Sequence, residues 1–306
     1  MLRTILVPLD GSTLAARALP FALDLARRTG GAVHLIRSHV SIAISAASAE
    51  GTLLSSEMLA VDDALRKRAA DDTTGTAKHL ADEWGLPVFA HAEDGSAGAA
   101  ITAVADRVGA DLIVMTTHGE GGFTPGWLGS VTDHVIRHSH RPVVALPEHD
   151  AHGGAPIAPR SILLTLDGSA RSERILPAAS ELALALGARV ELIRVISPYI
   201  PGDVASTLTA ESPDPFGIDT VSARAKEALD VVAERLRKLG LEVTATLRVH
   251  LSPTRALLDH IKATDPGCIA IASQGRGISR LFLGSVADKL VRAAGRPVLV
   301  LRPYDA

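Results

Sequence analysis

Short, nearly continuous apolar runs alternate along the chain with longer stretches in which apolar positions recur every three or four residues. ILVPL (5–9), AVHLIRS (32–38), PVFAH (87–91), DLIVMT (111–116) and PVVAL (142–146) are of the first kind. Such runs predict strands covered on both faces, as in a parallel sheet. TLAARALPFALDLARRTG (13–30) is of the second kind, with Ser12 as its N-cap and Gly30 as its stop, and Pro20 is expected to weaken or bend its middle. Comparable helices fit about 57–84, 97–108 and 129–139. The alternation predicts an α/β fold, a five-stranded parallel sheet with helices on both faces. Right-handed crossovers make the sheet doubly wound, and the strand order 3-2-1-4-5 is the working expectation.

The whole pattern then repeats. ILVPLDGS (5–12) returns as ILLTLDGS (162–169) and VHLIRS (33–38) as VELIRV (190–195), both at an offset of 157. LGSVTDHVIRHSHRPVVAL (128–146) returns as LGSVADKLVRAAGRPVLVL (283–301), at an offset of 155. Offsets so nearly constant mean an internal duplication with small length changes in loops. The expected domains are 1–147 and 161–306. The stretch 148–160, rich in Gly, Pro and His and without periodicity, is the expected linker.

Composition narrows the partners. A chain of 306 residues suits two domains, each with its own core, built here from Ala, Val, Leu and Ile because aromatics are only 3%. That scarcity, with a formal charge of −3, supplies neither the stacking surface nor the basic footprint expected of a nucleic-acid or anionic-membrane binder. No apolar run reaches membrane-spanning length and the start lacks a signal-peptide pattern, so the cytoplasm is the default expectation. The lone Cys268, inside CIAIAS, reads as a small core residue.

In a sheet of this order ligands sit beyond the carboxyl ends of the strands, between strands 1 and 4. Strand 1 delivers Pro8, Leu9, Asp10 and Gly11 to that crevice. Strand 4 delivers Thr116, Thr117, His118 and Gly119, followed by EGGFTPGWLGS (120–130). Glycines allow a backbone to approach a phosphate, and the free amides of Gly129, Ser130 and Val131 at a helix start attract anions. The plain alternative is a Gly-Ser helix cap. The loop is not a Walker A motif, because no Gly-Lys-[Ser/Thr] follows its glycines. Asp10 suits ribose hydroxyls, with an Asx turn or cap over Gly11-Ser12 as the alternative, and the two roles are compatible. Ser38, ending strand 2, faces the same rim.

With ILVPLDGS, ADLIVMTTHG (110–119), the nine-residue spacing to Gly129-Ser130-Val131 and RPVVALP (141–147), each half resembles the universal stress protein family. The resemblance covers nearly the whole chain and implies ATP, with Mg2+ as an optional companion, held by a Gly-x2-Gly-x9-Gly-[Ser/Thr] segment. It implies Gly119, Gly129, Ser130 and Val131 around the phosphates, Pro8 and Asp10 at adenine and ribose, and Ser38 near adenine. The first motif glycine is Thr116 here, which narrows the crevice by a side chain. In the second half that place holds Ala272, Pro8 is matched by Thr165, and eight residues rather than nine separate Gly275 from Gly284. Asp167, Val195, Gly284, Ser285 and Val286 persist, so a weaker second site at these residues and Gly275 is the secondary expectation. The resemblance further implies pairing of the two halves through their strand-5 edges, and homo-oligomers.

Other signals point less far. His134 and His138 stand at i, i+4, a spacing open to a metal, but Lys289 and Ala293 match them in the second half. The segments 41–56 and 197–220 border the crevice as lids, partner surfaces or drifted loops. No catalytic residue is identified, and at most slow ATP hydrolysis is expected. The rivals to an ATP-binding regulatory protein are a nucleotide-independent scaffold and a nucleotidyl transferase or hydrolase, which would need a further His, Lys or acid aimed into the crevice.

Overall fold

The computed structural model describes residues 1–41, 55–118, 128–147, 158–198, 218–273 and 283–303. Its first half runs β1 (Thr4–Pro8), α1 (Thr13–Ala16), α2 (Leu19–Thr29), β2 (Ala32–His39), α3 (Ser56–Trp84), β3 (Val88–Asp94), α4 (Ala97–Arg107), β4 (Leu112–Thr116), α5 (Ser130–His138) and β5 (Val143–Leu146). The second half repeats this as β6 (Ser161–Leu166), α6 (Ala170–Glu173), α7 (Leu176–Leu186), β7 (Arg189–Ile196), α8 (Ile218–Arg237), β8 (Val243–Val249), α9 (Pro253–Thr264), β9 (Cys268–Ala272), α10 (Ser285–Ala293) and β10 (Val298–Leu301).

The expected first helix is two helices. Ser12 caps α1, its hydroxyl accepting from the Ala15 amide at 3.0 Å, but the helix stops after one turn. Pro20 then lies in the first turn of α2, where its missing N–H costs no intrahelical bond, so it starts a helix instead of bending one. Pro177 does the same for α7. The remaining helix bounds fall within a residue or so of expectation.

The strands form one ten-stranded sheet in the order β3-β2-β1-β4-β5-β10-β9-β6-β7-β8. Each half is thus a parallel 3-2-1-4-5 sheet. The halves join by antiparallel pairing of β5 with β10, in the register Ala145–Val298, Val144–Leu299 and Val143–Val300. Successive residues of one strand serve opposite faces. Ile5 and Val7 enter a core with α2 and α3, continued in the second half by α7 and α8, whereas Leu6 enters the core beneath α4 and α5, continued by α9 and α10. Burial on both faces explains why β1, β4 and β5 read as unbroken apolar runs, whereas β3, expected to be covered in the same way, is an edge strand with no buried residue and with Phe89 half exposed.

The linker expectation lies almost wholly outside the described residues, as do most of segments 41–56 and 197–220 and the glycine-rich stretch 119–127, with Gly119 in it, and Gly275. Among the described residues no helix is long and apolar enough to cross a membrane.

Candidate functional site

At the carboxyl ends of β1, β2 and β4 lies a cavity of about 670 Å³. Pro8, Asp10, Ser38, Thr116, Gly129, Ser130 and Val131 all line it, so every described residue expected at the first site converges on one space. The sheet explains this: β1 pairs with β2 on one side and β4 on the other, and the crossovers leave it in opposite directions.

The floor is built from backbone. Gly129 donates its N–H to the Thr117 carbonyl at 2.8 Å, and a Cβ on Gly129 would stand 2.9 Å from that oxygen. Glycine is therefore needed to bring the start of α5 against the end of β4, whatever a ligand requires. The Thr132 hydroxyl reinforces the join by donating to the Thr116 carbonyl at 2.9 Å. Gly129 makes no side-chain cap, so the opening N–H groups of α5 border the cavity as donors for an anion. The Thr116 hydroxyl turns inward and donates to the His118 carbonyl at 2.7 Å, so this departure from the family glycine stiffens the turn leaving β4.

Asp10 has a structural task that its sequence position left open. Its Oδ1 accepts from the Ser12 amide at 2.8 Å and from the Ser12 hydroxyl at 2.6 Å. Asp167 makes the same two bonds with Ser169, at 2.8 and 2.6 Å. This shared Asx turn accounts for the aspartate in both halves without a ligand.

Two polar features of the cavity go beyond the sequence reading, which brings His118 to the crevice without a role and does not bring His39 there at all. His118 lines it with Nε2 buried and without a hydrogen-bond partner among the described residues, while Nδ1 stands 3.1 Å from the Thr117 hydroxyl. An orphaned buried nitrogen is costly and suits a site completed by a polar ligand. His39, also on the lining, has Nε2 2.8 Å from Asp62 Oδ1, and Asp62 Oδ2 accepts from the Ser41 hydroxyl at 2.5 Å. Asp62 is on α3, 23 residues from His39, and no local motif joins them.

The second-half residues occupy equivalent places: Asp167 follows β6, Val195 ends β7, and Gly284, Ser285 and Val286 open α10, with Gly284 donating to the Ser273 carbonyl at 2.6 Å. The crevice differs at Thr165, whose hydroxyl donates to the Ala270 carbonyl on β9 at 3.3 Å. His134 and His138 stack on each other, ring centroids 4.2 Å apart, and His134 covers Gly98 of α4. His134 is a helix-packing residue and His138 is exposed beside it, and among the described residues no three His, Cys, Asp or Glu side chains gather as a metal site. Cys268 is fully buried, which pushes its thiol pKa up to about 12.

Comparison with known proteins agrees with this architecture. A sequence profile described as the universal stress protein family matches residues 1–147 and again 159–302. A universal stress protein of Mycobacterium tuberculosis is 30% identical over 225 residues, covering 71% of this chain and 69% of its own length. One from Methanocaldococcus jannaschii is 30% identical over 145 residues, covering 47% of this chain and 81% of its own. The crystal structure of a universal stress protein from Archaeoglobus fulgidus superposes with a TM-score of 0.67 at 18% identity, covering 99% of this chain and 97% of that one, which speaks for the fold.

Proposed function

Since the chain belongs to the universal stress protein family, we propose that its first half binds ATP in the cavity between β1 and β4 and that occupancy biases conformation or assembly. The observation that carries this reading is the convergence of Pro8, Asp10, Ser38, Thr116, Gly129, Ser130 and Val131 on one cavity of about 670 Å³, within the range of small-molecule sites. The opening amides of α5 receive the phosphates, with Gly119 adding to them from the stretch before. The orphaned His118 nitrogen supplies a donor or acceptor that a bound nucleotide would satisfy. Mg2+, where present, travels with the triphosphate. The second half is the weaker site, through Asp167, Val195, Gly275, Gly284, Ser285 and Val286.

No step of hydrolysis is assigned. His39, backed by Asp62, is a histidine on the lining, but it stands at β2, two strands from the phosphate-binding amides, and is badly placed for phosphoryl chemistry. The protein is read as a cytoplasmic regulator, with slow ATP hydrolysis at most. Because β5 is already taken by β10 within the chain, a homo-oligomer would use another surface.

One observation favours the rival reading, a scaffold indifferent to nucleotide: the Asx turns of Asp10 and Asp167 are alike, so Asp10 needs no ligand to explain it. Mass spectrometry of small molecules released from the denatured purified protein, with thermal shift on adding ATP and magnesium, separates the two. Released adenine nucleotide or a concentration-dependent rise in Tm is expected. Neither, and the scaffold reading stands.

A further inference from the structure

The cavity has an unusual chemical make-up for a base-binding site. None of its described lining residues is Phe, Tyr or Trp, and the flat groups on the described wall belong to Arg37, His39 and His118. His118 belongs to the β4 side, with the phosphate-binding amides, and His39 is tied to Asp62. Arg37 is held differently. A Cβ built on Gly11 would lie 2.9 Å from Arg37 Nη2, 3.2 Å from Cζ and 3.3 Å from Nη1. Distances so nearly equal to three atoms of a planar fork put the glycine over its face, not beside its edge. The Nη1 edge looks toward Asp72 at 3.8 Å, beyond hydrogen-bond length.

One face of the guanidinium is therefore seated on the Gly11 backbone and one edge is turned to α3, while the side chain also lines the cavity. Gly11 suits this seat twice over, since its φ of 91° is also a conformation that side chains resist. The second half repeats the device: Arg194 covers Gly168, whose φ is 82°. The arginine was kept on both strands while its neighbour changed from Ser38 to Val195.

Charge alone does not explain Arg37. With β1 lying between β2 and β4, Arg37 is at the far side of the cavity from the opening amides of α5, away from the phosphates. Resting on the reading of this cavity as a nucleotide site, we infer that the face of the Arg37 guanidinium turned away from Gly11 is the stacking platform for the base, doing in an aromatic-poor protein what a ring does elsewhere. A guanidinium is flat, delocalised and weakly hydrated, and stacks on π-systems, whereas an ammonium offers no plane.

The test compares full-length wild type, Arg37→Lys and Arg194→Lys by calorimetric titration with adenosine and with ATP. Arg37→Lys keeps the charge and removes the plane, so it should weaken adenosine and ATP alike, by roughly tenfold. An unchanged urea unfolding midpoint in Arg37→Lys separates a lost platform from a fold defect, and Arg194→Lys, at the counterpart in the weaker second half, should have the smaller effect on both affinities. The inference is overturned if Arg37→Lys holds both ligands within about twofold of wild type, or weakens ATP while sparing adenosine, the mark of a phosphate contact. Failure of wild type to bind either ligand removes the site reading itself, and this inference with it.

Discussion

The Thr165 hydroxyl donates to the Ala270 carbonyl oxygen at 3.3 Å, tying β6 to β9 at the place where Pro8 leaves the first half with no donor at all. This bond is one of the differences that make the two crevices of a duplicated fold unequal. The β1–β4 register ends at Leu6–Ile113, and the β6–β9 register runs one pair further, to Leu164–Ala270. ATP titration of the full chain should therefore fit one site per chain, and Gly129→Ala should lower its affinity at least roughly tenfold because the Thr117 carbonyl must move. Two equal sites, or equal losses from Gly129→Ala and Gly284→Ala, would sink this ranking.

The paired Asx turns isolate what Asp10 does for a ligand from what it does for the fold. Asp10→Ala and Asp167→Ala each remove two hydrogen bonds of closely matched length, so each should cost about 1–2 kcal/mol in urea unfolding. Only Asp10→Ala should also weaken ATP. Matching stability losses with no change in binding for either variant would leave Asp10 a turn residue and nothing more.

Strand neighbours on the first half's outer edge make stability depend on pH. His34 Nδ1 lies 2.9 Å from His91 Nε2, so in the neutral pair one ring donates and the other accepts. Burial first, then the neighbouring His91, lowers the His34 pKa, and burial first, then Arg107, lowers that of His91 against the opposing pull of Glu93. Folded pKa values below the ordinary value of about 6.5 mean that the unfolded chain binds protons first as pH falls. The stability these rings contribute is thus complete above that pH and is lost as pH drops through the folded values. The urea midpoint should fall between about pH 7 and pH 5, with a shallower fall in His91→Gln. An unaltered slope in that variant would place the dependence elsewhere, with His134, also lowered by burial, next in line.

Cys268 offers a check on the second half. Its thiol is completely buried in β9 and its pKa is raised to about 12, so thiolate is scarce at neutral pH and reagent access is blocked. Labelling with a disulfide reagent at pH 8 should proceed only at the rate of global unfolding. Rapid labelling of folded protein would mean that β9 opens locally.

The sheet was legible because its central strands are buried on both faces: Ile5, Leu6 and Val7 are all fully buried, and an apolar run is the sequence that satisfies such a strand. Pro20 misled because a proline inside an amphipathic pattern reads as a kink, although it marks a first turn equally well. At the site, Pro8 and Asp10 at a strand end and Gly129-Ser130 at a helix start were legible as contiguous motifs. The His39–Asp62–Ser41 chain was not, since it joins residues on different elements that only the packing of α3 against β2 brings together. Nor was the seat of Arg37 on Gly11, because an arginine ending a strand ordinarily faces water.

The junction of the halves carries the last prediction. Leu299 of β10 stands opposite Val144 of β5, both fully buried, in one core that also holds Ile5 from the first half and Leu182 from the second. Domains that share only a small polar boundary move and melt separately, whereas a sheet and core running through the boundary make each half part of the other's interior. Leu299→Ala removes apolar volume at that seam and should cost about 2–5 kcal/mol. The loss should appear as a lower midpoint of a single transition, followed equally by a probe of Trp84 in the first half and by the exposure of Cys268 in the second. If Leu299→Ala splits the transition, or shifts only the Cys268 signal, the two halves are independent folding units that merely touch, and nucleotide bound in the first half would have no route through this seam to the second.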